Sequence, residues 1–378
     1  MAIVMINNTT KLVINLIQDI ATPHNNVLIQ QFVGRKDVEI KIWYATDEDQ
    51  KRYQWKENLT HTHLTASVYG RSFNIEFIRY CMAKKEERFI IVGWANANTR
   101  LLHIIFFLLR RPFNHWTDLP DPKQKSMSWL QKALRIFAYK LLRHSRCKVF
   151  AVGKSSIDCF KRWGFPDHML ENLPIFVSTD DPLEVYRQLR PKFDVQYNVQ
   201  TNGFLISAGS RLVHDKGYDL LLDAIAIIPK ELRLRLKVVI VGNGEEAEKL
   251  KRQIDNLNLK DCVLMEPWLD ISDFKALIAN SDVFVHPARF DSYGGSALGM
   301  ALGVPVVGST GAGAAVDRIE HAVNGFLYDV TDTKALAGYI TQLLSNPELR
   351  RRIGNAGRQT ALQWPPSRGV DIVVRHSI

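Results

Sequence analysis

The sequence predicts an α/β protein with two domains, each a doubly wound parallel sheet covered by helices, facing each other across a cleft. The length of 378 residues exceeds a single ordinary core, because domains average about 150 residues. Apolar runs of strand length alternate with helical stretches in both halves of the chain. Hydrophobic residues make up 46% and charged residues 23%, which excludes the disordered and collagen-like classes.

The first predicted domain, residues 1–190, opens with a βαβ pattern. The apolar run LVINLI after Lys11 ends in the polar stretch DIATPHNN, and a helical stretch then leads to VEIKIWYA, which alternates like a strand. The apolar runs 89–95 and 148–153 follow between further helical stretches. Together these runs indicate an open parallel sheet with helices on both faces.

The second predicted domain, residues 191–364, has clearer strand signals. The polar segment 180–203 contains two prolines and no sustained apolar period, so we expect it to connect the domains. A proline break separates the C-terminal tail 365–378. Because ligands bind at the carboxyl ends of parallel strands, two such domains can enclose a large substrate. The predicted strands are 204–209, 236–242, 262–268, 283–287 and 304–309.

A loop with two cations follows the first strand of the second domain. In SAGSRLVHDKGYDLLLDAI, Arg211 and Lys216 precede an amphipathic helix. A guanidinium can bind phosphate oxygens through paired hydrogen bonds, and an ammonium supplies a compact charge. The two residues together predict an anion site, whereas either one alone would suggest a solvated loop.

A later glycine-rich loop makes the pattern specific. The stretch HPARFDSYGGSALGMALGVPVVGSTGAGAAVDRI lies between two predicted strands, with VGNGEEAEKL before it and NGFLYDVTDTKALAGYI after it. In this order the motifs resemble the C-terminal domain of GT-B glycosyltransferases, in particular retaining family 4, over roughly residues 203–364. The resemblance implies two Rossmann-like domains and a nucleotide-sugar donor bound by the second one.

The resemblance also implies roles for individual residues. Arg211 and Lys216 would bind the donor diphosphate, and Asp291, which begins the family's E-x7-E signature, would hold donor sugar hydroxyls. The second acid of that signature falls on Gly299, and one lost charge-assisted hydrogen bond costs about 1.5–3 kcal/mol. Ser296 or nearby backbone would then contact the ribose. The remaining donor-binding candidates are Gly209, Gly242, Asn243, Met265, Trp268, Tyr293, Gly294 and Gly295.

The first domain should bind the acceptor. Within DIATPHNNVLIQQF, the resemblance directs His24, Asn25 and Asn26 toward the cleft, and His24 is a catalytic candidate, although a histidine in such a turn is more often simply exposed. Many relatives keep a histidine at the place that Thr117 or Asp118 occupies here. We take Thr117 as an acceptor-side candidate and Asp118 as a catalytic one.

The expected reaction needs no strong base if it retains configuration. The departing diphosphate can accept the acceptor's proton while Arg211 and Lys216 stabilise its charge. A DxD-like pattern occurs only at residues 47–49, in a charged loop that is typical of solvated surface. The resemblance implies no metal and no cofactor apart from the nucleotide-sugar co-substrate.

The net charge of +10 is concentrated in the first domain. Residues 71–148 contain 16 Lys/Arg and 5 Asp/Glu, and the range 123–148 holds eight cations and no acid. A helix is predicted over 128–144. Its charge favours docking on an anionic membrane surface, and a core-facing helix is the alternative. No nucleic-acid module is recognisable, so nucleic acid is not expected as a partner. The predicted apolar face is Leu130, Leu134, Phe137 and Leu141.

The four cysteines and the N-terminal sequence indicate the cellular compartment. No CxxC or Cys/His spacing occurs, which suits reduced thiols and argues against disulfides and structural zinc. The start has no basic region before its first apolar residues, and the longest apolar run, 104–109, cannot span a bilayer. We expect a cytoplasmic protein, peripheral at the inner face of the cell membrane.

The leading hypothesis is a nucleotide-sugar-dependent hexosyltransferase that extends a glycan or lipid-linked acceptor in cell-surface polysaccharide biosynthesis. A GT-B scaffold that has lost turnover is a second hypothesis, motivated by Gly299 and by the missing histidine. A nucleotide-sugar epimerase is a third, and it is disfavoured because the matching motifs are those of transferases.

Overall fold

The computed structural model describes residues 11–46, 65–94, 96–118 and 128–377. The described chain forms two entirely parallel sheets with flanking helices, which confirms the predicted α/β fold class. The first sheet comprises β1 (Leu12–Ile20), β2 (Val38–Thr46), β3 (Thr65–Val68), β4 (Arg88–Val92), β5 (Phe113–Thr117), β6 (Cys147–Ala151) and β7 (Leu170–Asn172). The second comprises β8 (Phe204–Gly209), β9 (Leu236–Val241), β10 (Val263–Glu266), β11 (Val283–His286), β12 (Val306–Ser309) and β13 (Phe326–Tyr328).

The first sheet has the strand order β3-β2-β1-β4-β5-β6-β7. Strand β1 continues three residues beyond the predicted run because Ile20 still pairs with Thr46 of β2. The sequence did not predict β3, β5 and β7. Two of them have only four and three residues, and β5 buries the polar residues Asn114 and His115, which hides its apolar pattern.

The second sheet has the order β10-β9-β8-β11-β12-β13. All five predicted strands are present, four of them with shorter ends, and β13 is an unpredicted sixth strand of three residues. The largest core cluster of the second sheet consists mainly of buried aliphatic side chains from the strands and from neighbouring helices, among them Ile206, Val238 and Leu221.

Helices cover both sheets. On the first sheet these are α1 (Pro23–Ile29), α2 (Ile75–Ala83), α3 (Ala97–Leu108), α4 (Trp129–Arg143) and α5 (Gly153–Arg162). The segments between the sheets and around the second sheet form α6 (Leu183–Arg187), α7 (Arg190–Gln196), α8 (Tyr218–Ala226), α9 (Lys230–Arg233), α10 (Ala247–Asn256) and α11 (Ile271–Ala279). The last helices are α12 (Gly295–Ala301), α13 (Gly313–Arg318), α14 (Thr333–Ser345), α15 (Pro347–Leu362) and α16 (Pro366–Arg375).

The expected connector 180–203 is more ordered than its composition indicates. It contains α6 and α7, and Phe193 and Tyr197 of this segment pack against Leu205 and Val239 of the second sheet. The segment therefore serves as part of the second sheet's cover.

The C-terminal tail returns to the first sheet. Val370 and Val373 of α16 pack in one cluster with Ile14 and Leu28. Beyond the helix, the carbonyl of Ser377 accepts a hydrogen bond from the Arg88 guanidinium at 2.6 Å. The last helix therefore ties the end of the chain to its beginning.

Helix α4 lies close to its predicted position, but its apolar residues divide between two environments. Leu141 is buried, whereas Leu134, Ile136 and Phe137 are 46–58% exposed. The side chain of Leu130 lies outside the described part. Across the helices of the described residues, none combines the length and apolarity that a membrane crossing requires.

Candidate active site

The strand order places a crevice at the carboxyl end of the second sheet. Strand β8 has β9 on one side and β11 on the other, so the connections leave in opposite directions and the loops after β8 and β11 separate. Ligands of doubly wound sheets bind at this switch point. Arg211 and Lys216 lie in the first loop, and Asp291 lies in the second.

The loop after β8 is held by the loop after β9. The Leu212 amide donates to the Asn243 carbonyl at 2.8 Å, and the Glu246 amide donates to the Leu212 carbonyl at 2.9 Å. This approach requires glycine, because a Cβ on Gly242 would lie 1.9 Å from the Ser210 carbonyl oxygen, and φ of Gly242 is +145°. Gly242 thus allows the close contact that fixes the backbone beside Arg211.

The loops after β8 and β11 are also joined directly. Arg289 forms an ion pair with Asp219 at 2.6 Å, and the Phe290 amide donates to the Asp215 carbonyl at 2.9 Å. Gly217, with φ of +69°, passes so close that a Cβ would lie 2.2 Å from the Pro287 carbonyl oxygen. These contacts position the two loops that hold Lys216 and Asp291.

The central pair of the site is Lys216 and Asp291. Lys216 Nζ lies 2.7 Å from Asp291 Oδ2, and the two side chains are only 11% and 15% exposed. Burial raises the pKa of Asp291, but the Lys216 ammonium and the His286 hydrogen bond outweigh it and hold this pKa well below its usual range. Asp291 is therefore an anion at every pH near neutrality.

His286 is a site residue that the sequence analysis missed. It ends β11, and its Nε2 lies 2.9 Å from Asp291 Oδ2. Its Nδ1 accepts the Ser296 amide at 3.1 Å and lies 2.8 Å from Ser296 Oγ. The available signal was a polar residue at the end of the apolar run VFVH, five positions before the predicted Asp291.

Arg211 is placed differently from Lys216. Its side chain is partly exposed and has no hydrogen bond or ion pair with any described residue. The predicted pair of cations thus consists of one residue that is already paired with Asp291 and one without a described partner.

The structure accounts for glycine at position 299. Gly299 lies buried inside α12, and a Cβ there would lie 2.8 Å from Val306 Cγ2 and 2.9 Å from Phe284 Cδ1. A longer side chain cannot leave the helix at this position without displacing it from the sheet. Ser296, the predicted substitute for ribose contact, is fully buried against His286.

The Tyr293 side chain is held by contacts within the protein. Its hydroxyl donates to Asp317 Oδ2 at 2.7 Å and accepts from Arg318 Nε at 2.6 Å. Its ring is buried beside Gly153 of the first domain, so its hydroxyl is not available to a donor in this arrangement.

The other donor-binding candidates surround the same edge. Gly209 ends β8 against the ring of Phe274, and Gly294 precedes α12 with φ of +116° and open space around it. Gly295 lies against the His286 ring. Asn243 is exposed, while Met265 and Trp268, on and after β10, are partly buried.

Asp118 approaches this group from the first domain. Its backbone follows Thr117, the last residue of β5, whose hydroxyl donates to the Asp118 carbonyl at 3.3 Å. The residue is exposed on one side, while protein atoms from both domains lie around its carboxyl. Burial and the charge of Asp291 raise the pKa of Asp118 to about 6, against a smaller opposing effect of Lys216. Charges from both domains therefore meet in the cleft.

The predicted asparagines after β1 form hydrogen bonds with neighbouring side chains of the first domain. The Asn25 side chain donates to Gln18 Oε1 at 2.8 Å, and Asn26 Oδ1 accepts from Gln30 Nε2 at 3.2 Å. The side chain of His24 lies outside the described part of the structure.

A polar group at the carboxyl edge of the first sheet was not predicted. Asp19, near the end of β1, accepts from Asn96 at 3.3 Å and pairs with Arg71 at 3.4 Å. Asn96 caps α3 and also donates to the Tyr69 hydroxyl at 2.9 Å. The available signal was an acid at the end of the first strand and an asparagine before the helix after β4.

Possible metal ligands were sought among the described side chains. The described residues contain no group of three or more His, Cys, Asp or Glu side chains suited to a metal ion. The DxD-like residues 47–49 lie outside the described residues. Metal independence remains a prediction. The four cysteines are buried free thiols.

Residues 190–360 match the family model described as Glycosyl transferases group 1. The match covers the second sheet and its helices. The matched residues include Arg211, Lys216, His286 and Asp291, and thus the entire loop arrangement at the switch point.

Curated relatives match parts of the chain. This chain is 31% identical over 217 residues to the GDP-mannose-dependent alpha-(1-6)-phosphatidylinositol monomannoside mannosyltransferase of Mycolicibacterium smegmatis. The match covers 53% of this chain and 54% of the relative. The chain is 29% identical over 170 residues to the capsular polysaccharide biosynthesis glycosyltransferase CapM of Staphylococcus aureus, covering 44% of each. The chain thus spans about half the length of the curated relatives it matches.

Solved structures match nearly the whole chain. Anabaena HepE in complex with UDP has a TM-score of 0.77 at 21% identity, covering 96% of this chain and 99% of HepE. HepE in complex with UDP-glucose has a TM-score of 0.73 at 22% identity, covering 96% and 98%. These similarities confirm the two-domain GT-B fold.

Proposed function

We propose that this protein is a nucleotide-sugar-dependent glycosyltransferase that transfers a sugar to a glycan or lipid-linked acceptor. The observation that carries the proposal is the buried Lys216–Asp291 pair at the switch point of a group 1 domain. The similarity to the mannosyltransferase and to CapM supports a role in glycolipid or polysaccharide biosynthesis.

Lys216 and Asp291 exchange partners when the donor binds. The ammonium moves from Asp291 to the diphosphate, where Arg211 adds its guanidinium. The carboxylate then accepts a hydrogen bond from a donor sugar hydroxyl. Both cations stabilise negative charge on the leaving diphosphate as the glycosidic bond to it breaks.

Transfer proceeds with retention in this proposal. The leaving diphosphate accepts the acceptor's proton on the face from which it departs, so no separate base is needed. Asp118 lies on the acceptor's side, where its raised pKa of about 6 lets it gain and lose a proton close to neutral pH. The polar group of Asp19, Arg71 and Asn96 lies at the carboxyl edge of the same sheet.

Transfer assays with a panel of nucleotide sugars test the proposal. Wild-type protein should form a glycosylated product from one donor with an acceptor mixture from a bacterial membrane extract, and should slowly hydrolyse that donor alone. The Lys216→Ala variant should do neither. Absence of any turnover beside a stable partner complex would favour the scaffold hypothesis, and an epimerised donor would favour the third hypothesis. Activity that persists in EDTA would support metal independence.

We also propose that the first domain docks on an anionic membrane surface. Helix α4 exposes Leu134, Ile136 and Phe137 together with the cations Lys132 and Lys140. Exposed apolar and basic side chains on one helix are typical of interfacial membrane binding. A lipid-linked acceptor would then lie near the first domain.

A further inference from the structure

His286 lies directly behind Asp291 and is held on several sides. Besides its contacts to Asp291 and Ser296, its ring lies so close to Gly295 that a Cβ there would be 3.2 Å from ring atoms. The residue is 6% exposed. These contacts leave the imidazole a single orientation.

The hydrogen bonds also define the tautomer of this ring. The Ser296 backbone N–H can only donate, so His286 Nδ1, 3.1 Å away, must accept with a lone pair. The ring proton of neutral His286 therefore lies on Nε2. From there it is donated to Asp291 Oδ2 over 2.9 Å.

The two partners of Asp291 use the same oxygen. Lys216 and His286 both contact Oδ2, whereas Oδ1 has no hydrogen-bond or ion-pair partner in the part of the chain that the structure describes. In the proposed reaction Lys216 leaves for the diphosphate. His286 then remains as the group that keeps the carboxylate in place.

We propose that His286 is a positioning residue for donor-sugar recognition. By holding Oδ2 of Asp291, it leaves Oδ1 free to accept a hydroxyl of the donor sugar, and Ser296 keeps the proton of the ring on Nε2. The inference rests on the proposed glycosyltransferase function, and it concerns the sugar part of the donor rather than the diphosphate.

Two amide substitutions separate this role from simple packing. In His286→Gln the side-chain amide reaches the position of Nε2 and can still donate to Asp291. In His286→Asn the amide ends near Nδ1 and cannot reach Asp291. Both replacements are polar and smaller than histidine. His168→Ala, at an exposed histidine after α5, is the control.

Calorimetric titration of UDP-glucose and UDP, or of GDP-mannose and GDP if wild type prefers them, provides the test. His286→Asn should weaken the nucleotide sugar at least about tenfold, as expected for one lost charge-assisted hydrogen bond, and leave the nucleoside diphosphate within about twofold. His286→Gln and His168→Ala should resemble wild type. Equal losses for sugar and diphosphate, or unchanged affinity in His286→Asn, would overturn the inference.

A second measurement does not depend on a donor. Long-range proton–nitrogen NMR of histidine-labelled protein, assigned through the signal missing in His286→Asn, should show His286 with its proton on Nε2. A proton on Nδ1 would overturn the inference. If wild type binds no nucleotide at all, the proposed function fails and the inference fails with it, whereas unchanged affinity in His286→Asn or a proton on Nδ1 overturns the inference alone.

Discussion

At the scale of single residues, Asp118 gives a test by pH. Its pKa of about 6 exceeds the usual carboxyl value of about 3.9, so folding favours its protonated form. Stability is therefore lost as the pH rises from about 4 to about 6, and the loss persists above that range. The variant Asp118→Asn should melt at a higher temperature than wild type at pH 7, with the difference vanishing near pH 4.

The control for this experiment is Asp158→Asn on α5, which should melt at the same temperature as wild type at both ends of the pH range. Thermal melts of the three proteins at pH 4, 5, 6 and 7 check the prediction. If Asp118→Asn changed the melting temperature equally at all four pH values, the inferred effect of the Asp291 charge on Asp118 would be wrong.

At the scale of secondary-structure elements, Gly299 tests how closely α12 lies on its sheet. A Cβ at this position would be 2.8 Å from Val306 and 2.9 Å from Phe284. Both Gly299→Ala and Gly299→Glu should therefore lower the free energy of unfolding, by about 1–3 kcal/mol for the alanine. Although the glutamate restores the family signature, it should not tighten nucleotide binding.

Gly338→Ala is the matched control, because Gly338 lies exposed in α14 and a Cβ added there would meet no other atom within 4 Å. It should raise the free energy of unfolding by about 0.5–1 kcal/mol. Denaturant titration measures all three variants. A stable Gly299→Glu protein with tighter nucleotide binding would refute our explanation of this glycine.

Helix α4 carries the prediction for membrane docking. Replacing Phe137 by Ser removes a side chain that is 58% exposed and should reduce binding to vesicles that contain phosphatidylglycerol by roughly tenfold, since burying such a side chain contributes about 1.5–3 kcal/mol. Vesicle flotation measures this. Val195→Ser, at an 84% exposed residue of α7, should bind like wild type. Equal binding of all three proteins would exclude α4 as the docking element.

At the scale of the whole molecule, Asp317 joins the two domains. It accepts hydrogen bonds from the Tyr293 hydroxyl at 2.7 Å and from the Lys154 amide, at the start of α5, at 3.2 Å. Its side chain is 1% exposed, so Asp317→Ala would leave buried donors unsatisfied at about 1–3 kcal/mol each. Calorimetry should show a lower unfolding temperature and separate transitions for the two domains.

Asp167→Ala is the control for that measurement, because Asp167 is 81% exposed and pairs with Lys161 at the surface of the first domain. It should unfold like wild type. A single unshifted transition in Asp317→Ala would show that this contact does not couple the domains.

The sequence predicts the parts of this molecule that depend on local pattern. The alternating apolar runs indicate both parallel sheets, and the loop motifs point to Lys216 and Asp291, which the structure brings within 2.7 Å. Contacts between distant segments leave no local trace. The return of α16 to the first sheet and the Tyr293–Asp317 contact depend on such pairings. His286 escaped notice because a histidine in a buried strand resembles a core residue.

The central claim is that Lys216 binds the diphosphate of a nucleotide-sugar donor at the mouth of the second sheet. Calorimetric titration of UDP and of GDP into wild type and into Lys216→Ala tests it most directly. Wild type should bind at least one of the two, and the variant should lose at least about tenfold in affinity, or about 1.4 kcal/mol. The same affinity in both proteins, or no binding to wild type, would contradict the account.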